Sequence, residues 1–148
     1  MNGELVNQLI QLPGAGQVQN HSDGLWMESP ELDVLALAEL MKTLKARLTT
    51  ISAISLENGE TEIIYHFAMG GQAINVKTLT KENAIPSIAV IIKAASWIER
   101  ENHDLFGVNF TGHPNLKRLI RPHQLSDGFF REPGGAAGKA LRGEKNAL

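Results

Sequence analysis

The residues with most chemical potential lie in one stretch, Trp97 to Ile120, where Glu99, Arg100, Glu101, His103 and Asp104 fall within six positions and His113 follows. Carboxylates and imidazoles of this kind are the ligands of a hydrolytic metal ion, so a metal-dependent hydrolase is one reading. The spacing speaks against it: there is no His-x-x-x-His pair, and Gly112-His113-Pro114 cannot continue the helix that carries His103. His103 suits the last turn of that helix, where a cation is favoured. His66, between Tyr65 and Phe67, belongs to a strand and reads as a solvent-face or partner-face residue, and His21 and His123 read as loop residues.

Nucleophilic catalysis finds less support. Ser52, Ser55, Ser87 and Ser96 lie in elements without an elbow motif, and no nucleophile–base pair is indicated. Gly134-Gly135-Ala136-Ala137-Gly138-Lys139 superficially resembles a phosphate loop, but Ala140 follows the lysine and no strand precedes it, so it reads as a linker.

The charged stretch is also apolar. Trp97, Leu105, Phe106 and Phe110 flank its charges, and Arg100 and Asp104, four apart on a helix, can pair. Burying unpaired charges is costly, and exposing three large aromatics is equally unexpected. Both conditions are met by a surface that presses against another polypeptide.

The same residues resemble the signature of the C subunit of NADH–quinone oxidoreductase (respiratory complex I). That pattern is Glu-Arg-Glu, two free positions, an acid, two large apolar residues, six free positions, His or Lys, three free positions, a Lys, Arg or Pro, one free position and two apolar residues. Here it is met by Glu99-Arg100-Glu101, Asp104, Leu105-Phe106, His113, Lys117 and Leu119-Ile120, every spacing kept. Ile85-Pro86-Ser87-Ile88, Ala94-Ala95-Ser96-Trp97 and the strand around Tyr65-His66-Phe67 are similar to the family as well, so the resemblance covers Ser29 to Arg121. The chain departs from the family at His103, Asn115 and Lys117, where an aromatic, an Asp and an Arg are frequent. Its short basic ending is closer to the counterpart subunit of energy-converting nickel–iron hydrogenases.

The resemblance implies a non-catalytic scaffold subunit that holds no cofactor or redox centre. It would pack against a large hydrogenase-like subunit, beside iron–sulfur subunits, on the cytoplasmic side of a membrane that other chains anchor. The expected contact places Phe106, Phe110 and Pro114 at its apolar centre beside Trp97, with Gly107 and Gly112 turning the backbone. Glu99, Arg100, Glu101, Asp104, His113 and Arg118 would pair internally or across it. The alternative of another class is a stand-alone protein-binding module that uses the same patch.

The elements that must position this stretch are legible in outline. Leu5, Val6, Leu9 and Leu12 predict a helix over 4–12, and Gly14 to Asp23 reads as a loop. Leu25-Trp26-Met27 reads as an edge strand. Ser29-Pro30-Glu31 resembles a helix start, which predicts a helix from Pro30 to Leu48. Three strands follow, Thr49–Leu56, Thr61–Met69 and Ala73–Leu79, joined by a tight turn at Asn58-Gly59 and another at Gly70-Gly71. Ser87 reads as the N-cap of a helix running to about Asn102. The fold class is therefore α+β: a two-layer sandwich, mostly antiparallel or mixed, with helices on one face. It comprises one domain, 1–126, and a Gly-, Ala- and Lys-rich tail, 127–148, expected to be flexible.

Composition fits that class. The 148 residues are 43% hydrophobic and only 5% aromatic, which calls for an aliphatic core. A net charge of −2 offers no attraction to nucleic acid. From Lys117 onward, however, seven cations face three acids, which reads first as a solvated tail and second as an end suited to an acidic partner. The absence of cysteine excludes thiolate-held clusters and zinc sites of the cysteine type. No basic signal-like start is seen, and the most apolar run, Ile85 to Ile98, is too short to span a bilayer.

Overall fold

In the computed structural model, which describes residues 2–117 and 119, the core is built on the inward rows of the central strands. Helix α1 is Asn2–Ile10, strands β1 and β2 are Gln17–His21 and Gly24–Glu28, and helix α2 is Val34–Thr43. Strands β3, β4 and β5 are Arg47–Ser55, Thr61–Met69 and Gln72–Leu79. Strand β6 is Ala84–Pro86, helix α3 is Ala95–Phe106, and strand β7 is Asn109–Thr111. Ile51 pairs with Tyr65, Tyr65 with Val76 and Val76 with Met27, so one inward row crosses four strands. Leu5 and Leu9 of α1 and Val34, Leu37, Ala38 and Met41 of α2 join these residues in a single aliphatic core.

The five-stranded sheet runs β1-β2-β5-β4-β3, with β2 and β5 parallel and its other pairs antiparallel. The α+β class and mixed sheet expected from the sequence are observed. Leu25-Trp26-Met27 is an interior strand rather than an edge: the edge is β1, built from the stretch that reads as a loop. The opposite sheet face carries Trp26, Glu28, Ser52, Glu62, His66, Asn75 and Lys77. Lys77 there lies 3.3 Å from Glu28 and 3.6 Å from Glu62.

Helix α2 is shorter than the apolar spacing predicts. Its N-cap is Asp33, whose side chain accepts from the N–H groups of Leu35 and Ala36, rather than Ser29. Ser29 instead accepts from the N–H of Gly16 at 2.7 Å. The helix ends before Lys45, whose φ of 57° breaks it, and Leu48 turns into the core from β3. The β3–β4 turn is not the two-residue form. Leu56 and Glu60 close it, and Gly59 takes the left-handed conformation while Asn58 does not. Gly70-Gly71 does form the tight turn, both at positive φ.

A second, two-stranded sheet pairs β6 parallel to β7, and α3 is the crossover between them. Helix α3 therefore starts at Ala95, well beyond its expected Ser87 cap. The boundary drawn at 126, Arg118 and the tail 127–148 lie outside the described residues.

Candidate partner-docking site on helix α3

Helix α3 has a sharply divided surface. Ala95, Glu99, Asn102 and Asp104 are buried, whereas Trp97 is 67% exposed and Glu101 is exposed. Asn102 donates to the Ile51 carbonyl of edge strand β3 at 3.0 Å, which fixes the helix to the sheet. Below it, Glu99 reaches out of the helix into the turn after β6. Its Oε2 accepts from the Ser87 hydroxyl at 2.6 Å and its Oε1 from the Ile88 N–H at 2.8 Å. Burial pushes this carboxyl up to about 7, against the opposing pull of the Ser87 and Ile88 hydrogen bonds. Tyr65 lies in the core close enough to feel the Glu99 charge. Burial first, and then that charge, raise its phenol far above the usual range. Its hydroxyl has no hydrogen-bond partner among the described residues.

His113 completes the interior cluster. Its Nδ1 accepts from the Asn115 N–H at 2.9 Å, and its Nε2 lies 3.1 Å from the Ser96 carbonyl. The proton therefore sits on Nε2, and the ring is satisfied as a neutral group. Its 3.8 Å separation from Glu99 Oε2 is a close approach rather than a formed ion pair. A buried glutamic acid and a neutral imidazole, each engaged with backbone, have no open face toward a reactant. Among the described residues no cluster of three or more His, Asp or Glu side chains is placed to hold a metal ion.

The far end of α3 is held from two sides. Gly107 is its C-cap at φ 68°, and Asn83 donates to the Phe106 and Gly107 carbonyls at 3.4 and 3.0 Å. Asn83 sits at φ 54° in the turn between β5 and β6, whose Glu82 and Asn83 N–H groups donate to the Glu60 carboxylate. His103 Nδ1 lies 2.9 Å from the Val108 carbonyl, so this histidine joins the helix to the strand that follows. Arg100 Nε donates to the Lys117 carbonyl at 3.1 Å, and Asp104 Oδ2 accepts from the Leu119 N–H at 2.7 Å. These two side chains clamp the segment that leaves β7, a role that their i, i+4 spacing alone does not reveal.

Of the twelve residues singled out by sequence, the eleven that are described, all but Arg118, thus separate. Glu99, Asp104 and Phe110 are interior, with Phe110 1% exposed, so Phe110 belongs to the core rather than to the centre of a contact. Phe106 is half-buried against that core, Gly107 is partly covered, and His113 keeps its ring inside while its backbone reaches the surface. Trp97, Glu101, Gly112 and Pro114 are exposed, and Arg100 stacks over the Trp97 ring at 5.7 Å. Val90, 61% exposed in the turn before α3, adds an apolar residue that spacing does not single out. Ser87, Asn83 and Asn102 are positioning residues that sequence reasoning misses; each reads as an ordinary cap or polar residue until its partner is known.

Residues 28–133 match the model of the family described as the respiratory-chain NADH dehydrogenase 30 Kd subunit. Over 62 residues, 40% of this chain and 31% of the relative, it is 42% identical to the NADH-quinone oxidoreductase C subunit of Sinorhizobium medicae. Over 76 residues, 46% of this chain and 38% of the relative, it is 42% identical to the C subunit of the same enzyme from Rhodobacter capsulatus. A segment of 39 residues, 26% of this chain, is 59% identical to 7% of the NADH-quinone oxidoreductase C/D subunit of Methylococcus capsulatus. The chain spans about a third of the length of the C subunits it matches. Its fold resembles that of the trypsin-resistant fragment of Nqo5, with a TM-score of 0.62 at 22% identity, over 78% of this chain and 100% of that one.

Proposed function

Because the chain belongs to the family of the 30 kDa subunit of respiratory-chain NADH dehydrogenase, we propose that it is a non-catalytic scaffold subunit of a membrane-associated electron-transfer complex. Its exposed Trp97–Arg100 pair docks on the large subunit of that complex, with the exposed Glu101 of the same helix beside it. The carrying observation is the division of this segment: Glu99, Asp104 and His113 are consumed inside the fold, while Trp97 and Glu101 are turned out. An interior cluster positions; an exposed aromatic beside an arginine is the composition of an interface anchor.

Two further observations support the reading. One relative is a fused C/D subunit, so the region corresponding to this chain is there covalently joined to a second subunit. The sequence has no cysteine, so electrons pass through neighbouring iron–sulfur subunits. No described helix is long and apolar enough to cross a membrane, and attachment to the cytoplasmic side comes through partners. The matching relatives are named for the NADH-quinone enzyme, which favours that assembly over the hydrogenase type.

The experiment is affinity purification of the tagged full chain from detergent-solubilised membranes of its own host, read by mass spectrometry. Recovery of a large hydrogenase-like subunit and iron–sulfur subunits supports the proposal. Recovery of the chain alone from the soluble fraction rejects it in favour of a stand-alone module.

A further inference from the structure

Ser52, His66 and Asn75 stand side by side on the outward sheet face, on β3, β4 and β5. Ser52 Oγ lies 2.9 Å from His66 Nε2, and His66 Nδ1 lies 2.7 Å from Asn75 Oδ1. Asn75 Nδ2 donates to the Leu25 carbonyl at 3.4 Å, which leaves Oδ1 turned to the imidazole. An amide oxygen can only accept, so Nδ1 carries the ring proton and Nε2 presents its lone pair to the Ser52 hydroxyl. The Trp26 indole meets the imidazole edge-on, ring centres 6.5 Å apart, and restrains its plane. The sequence indicates no nucleophile–base pair, because its members are spread over three strands; the sheet assembles one.

We propose that Ser52 is an activated nucleophile, a modification site that takes the acyl group of small activated esters, with His66 as its general base and Asn75 as a positioning residue. The arrangement matches the roles of a nucleophile, a base and an orienting amide. Ser52 and His66 are half-buried, and an open depression of about 480 Å³, bordered by Thr50, His66, Ala68, Gln72 and Asn75, adjoins the imidazole, though Ser52 itself does not line it. In the reaction, Ser52 Oγ bonds to the carbonyl carbon and its proton passes to His66 Nε2. The carbon–oxygen bond to the leaving group then breaks, and that oxygen departs with the electron pair and recovers the proton from His66. Backbone N–H groups of paired strands lie in the plane of the sheet, so no pair of them is aimed at the oxygen of a tetrahedral intermediate. Each such donor is worth about 10²–10³ in rate. The chemistry is therefore slow and stops at the acyl-serine. It is independent of the docking surface proposed on α3.

The test treats the full chain with p-nitrophenyl acetate and locates the acetyl groups by peptide mass spectrometry. Ser52 is expected to be acetylated ahead of every other serine and threonine, at a rate that rises with pH. His66→Gln slows this by about tenfold or more and abolishes the pH dependence, the scale of general-base assistance. Asn75→Ala slows it while keeping the pH dependence, and Ser52→Ala removes the adduct. Acetylation confined to lysines, a wild-type rate at Ser52 indifferent to pH, or an unchanged rate in His66→Gln overturns the proposal; the first two need no variant to fold.

Discussion

The Ser87 hydroxyl donates to the Glu99 carboxylate at 2.6 Å and accepts from the Ala89 N–H at 3.1 Å, so the serine ties an interior acid to the turn it belongs to. Burial makes Glu99 hold its proton more readily in the folded chain, lifting the carboxyl from 4.5 to about 7. The linkage follows: the contribution is whole below about pH 4.5 and is lost as pH rises through 7, where the folded chain must bury a charge. The loss is on the order of 3 kcal/mol. Glu99→Gln keeps an acceptor for Ile88 and carries no charge, so its stability should not fall between pH 5 and 8 as the wild type's does. Urea midpoints at the two pH values measure this; parallel slopes in both proteins would assign the effect elsewhere.

The signature contains both core and surface, and two truncations separate them. Phe110→Ala should cost about 3–5 kcal/mol of stability, the range for emptying a buried aromatic site. Trp97→Ala should change stability by no more than about 0.5 kcal/mol. It should instead weaken partner recovery by about 2 kcal/mol or more, some thirtyfold. Thermal unfolding paired with co-purification distinguishes them. A Trp97→Ala chain that recovers its partners fully would remove this residue from the interface.

Arg100 and Asp104 clamp the backbone at Lys117 and Leu119. Asp104→Ala should release that segment and speed tryptic cleavage after the exposed Lys117, with little change in cleavage after Lys77 of β5. Limited proteolysis read by mass spectrometry reports both. Equal cleavage rates would show that Asp104 does not hold the segment.

Asn83 serves a positive-φ turn and the C-terminus of α3 at once. Asn83→Ala loses both and should destabilise by about 1–3 kcal/mol. Asn83→Gly restores only the backbone conformation and should recover part of this. Denaturant titration of the three proteins gives the order, and an alanine variant as stable as the glycine variant would contradict it.

The central strands are legible because Ile63, Ile64, Tyr65 and Phe67 make a β-branched and aromatic run, and Gly70-Gly71 permits one kind of turn. The helix ends are not. Ser29-Pro30 and Ser87 both have the local chemistry of a cap, yet each serine is claimed by a distant group, the Gly16 N–H and the Glu99 carboxylate. Asp33 captures the α2 N–H groups in place of Ser29. Strands β6 and β7 are three residues each, too short to show a period, and their pairing spans the whole of α3. For the docking site, spacing locates the segment but does not say which side chains turn inward; that depends on how α3 rests against β3.

The parallel contact between β2 and β5 also sets an order of events. Leu25 faces Ile74 in the finished sheet, although a helix and two full strands lie between them along the chain. The β3–β4–β5 meander closes through short loops and can assemble first, whereas β2 has no neighbour to join on that side until β5 is in place. Residues of β2, which leave the ribosome before the meander, are thus seated after it, and until then the outer edge of β5 stays open to a competing strand.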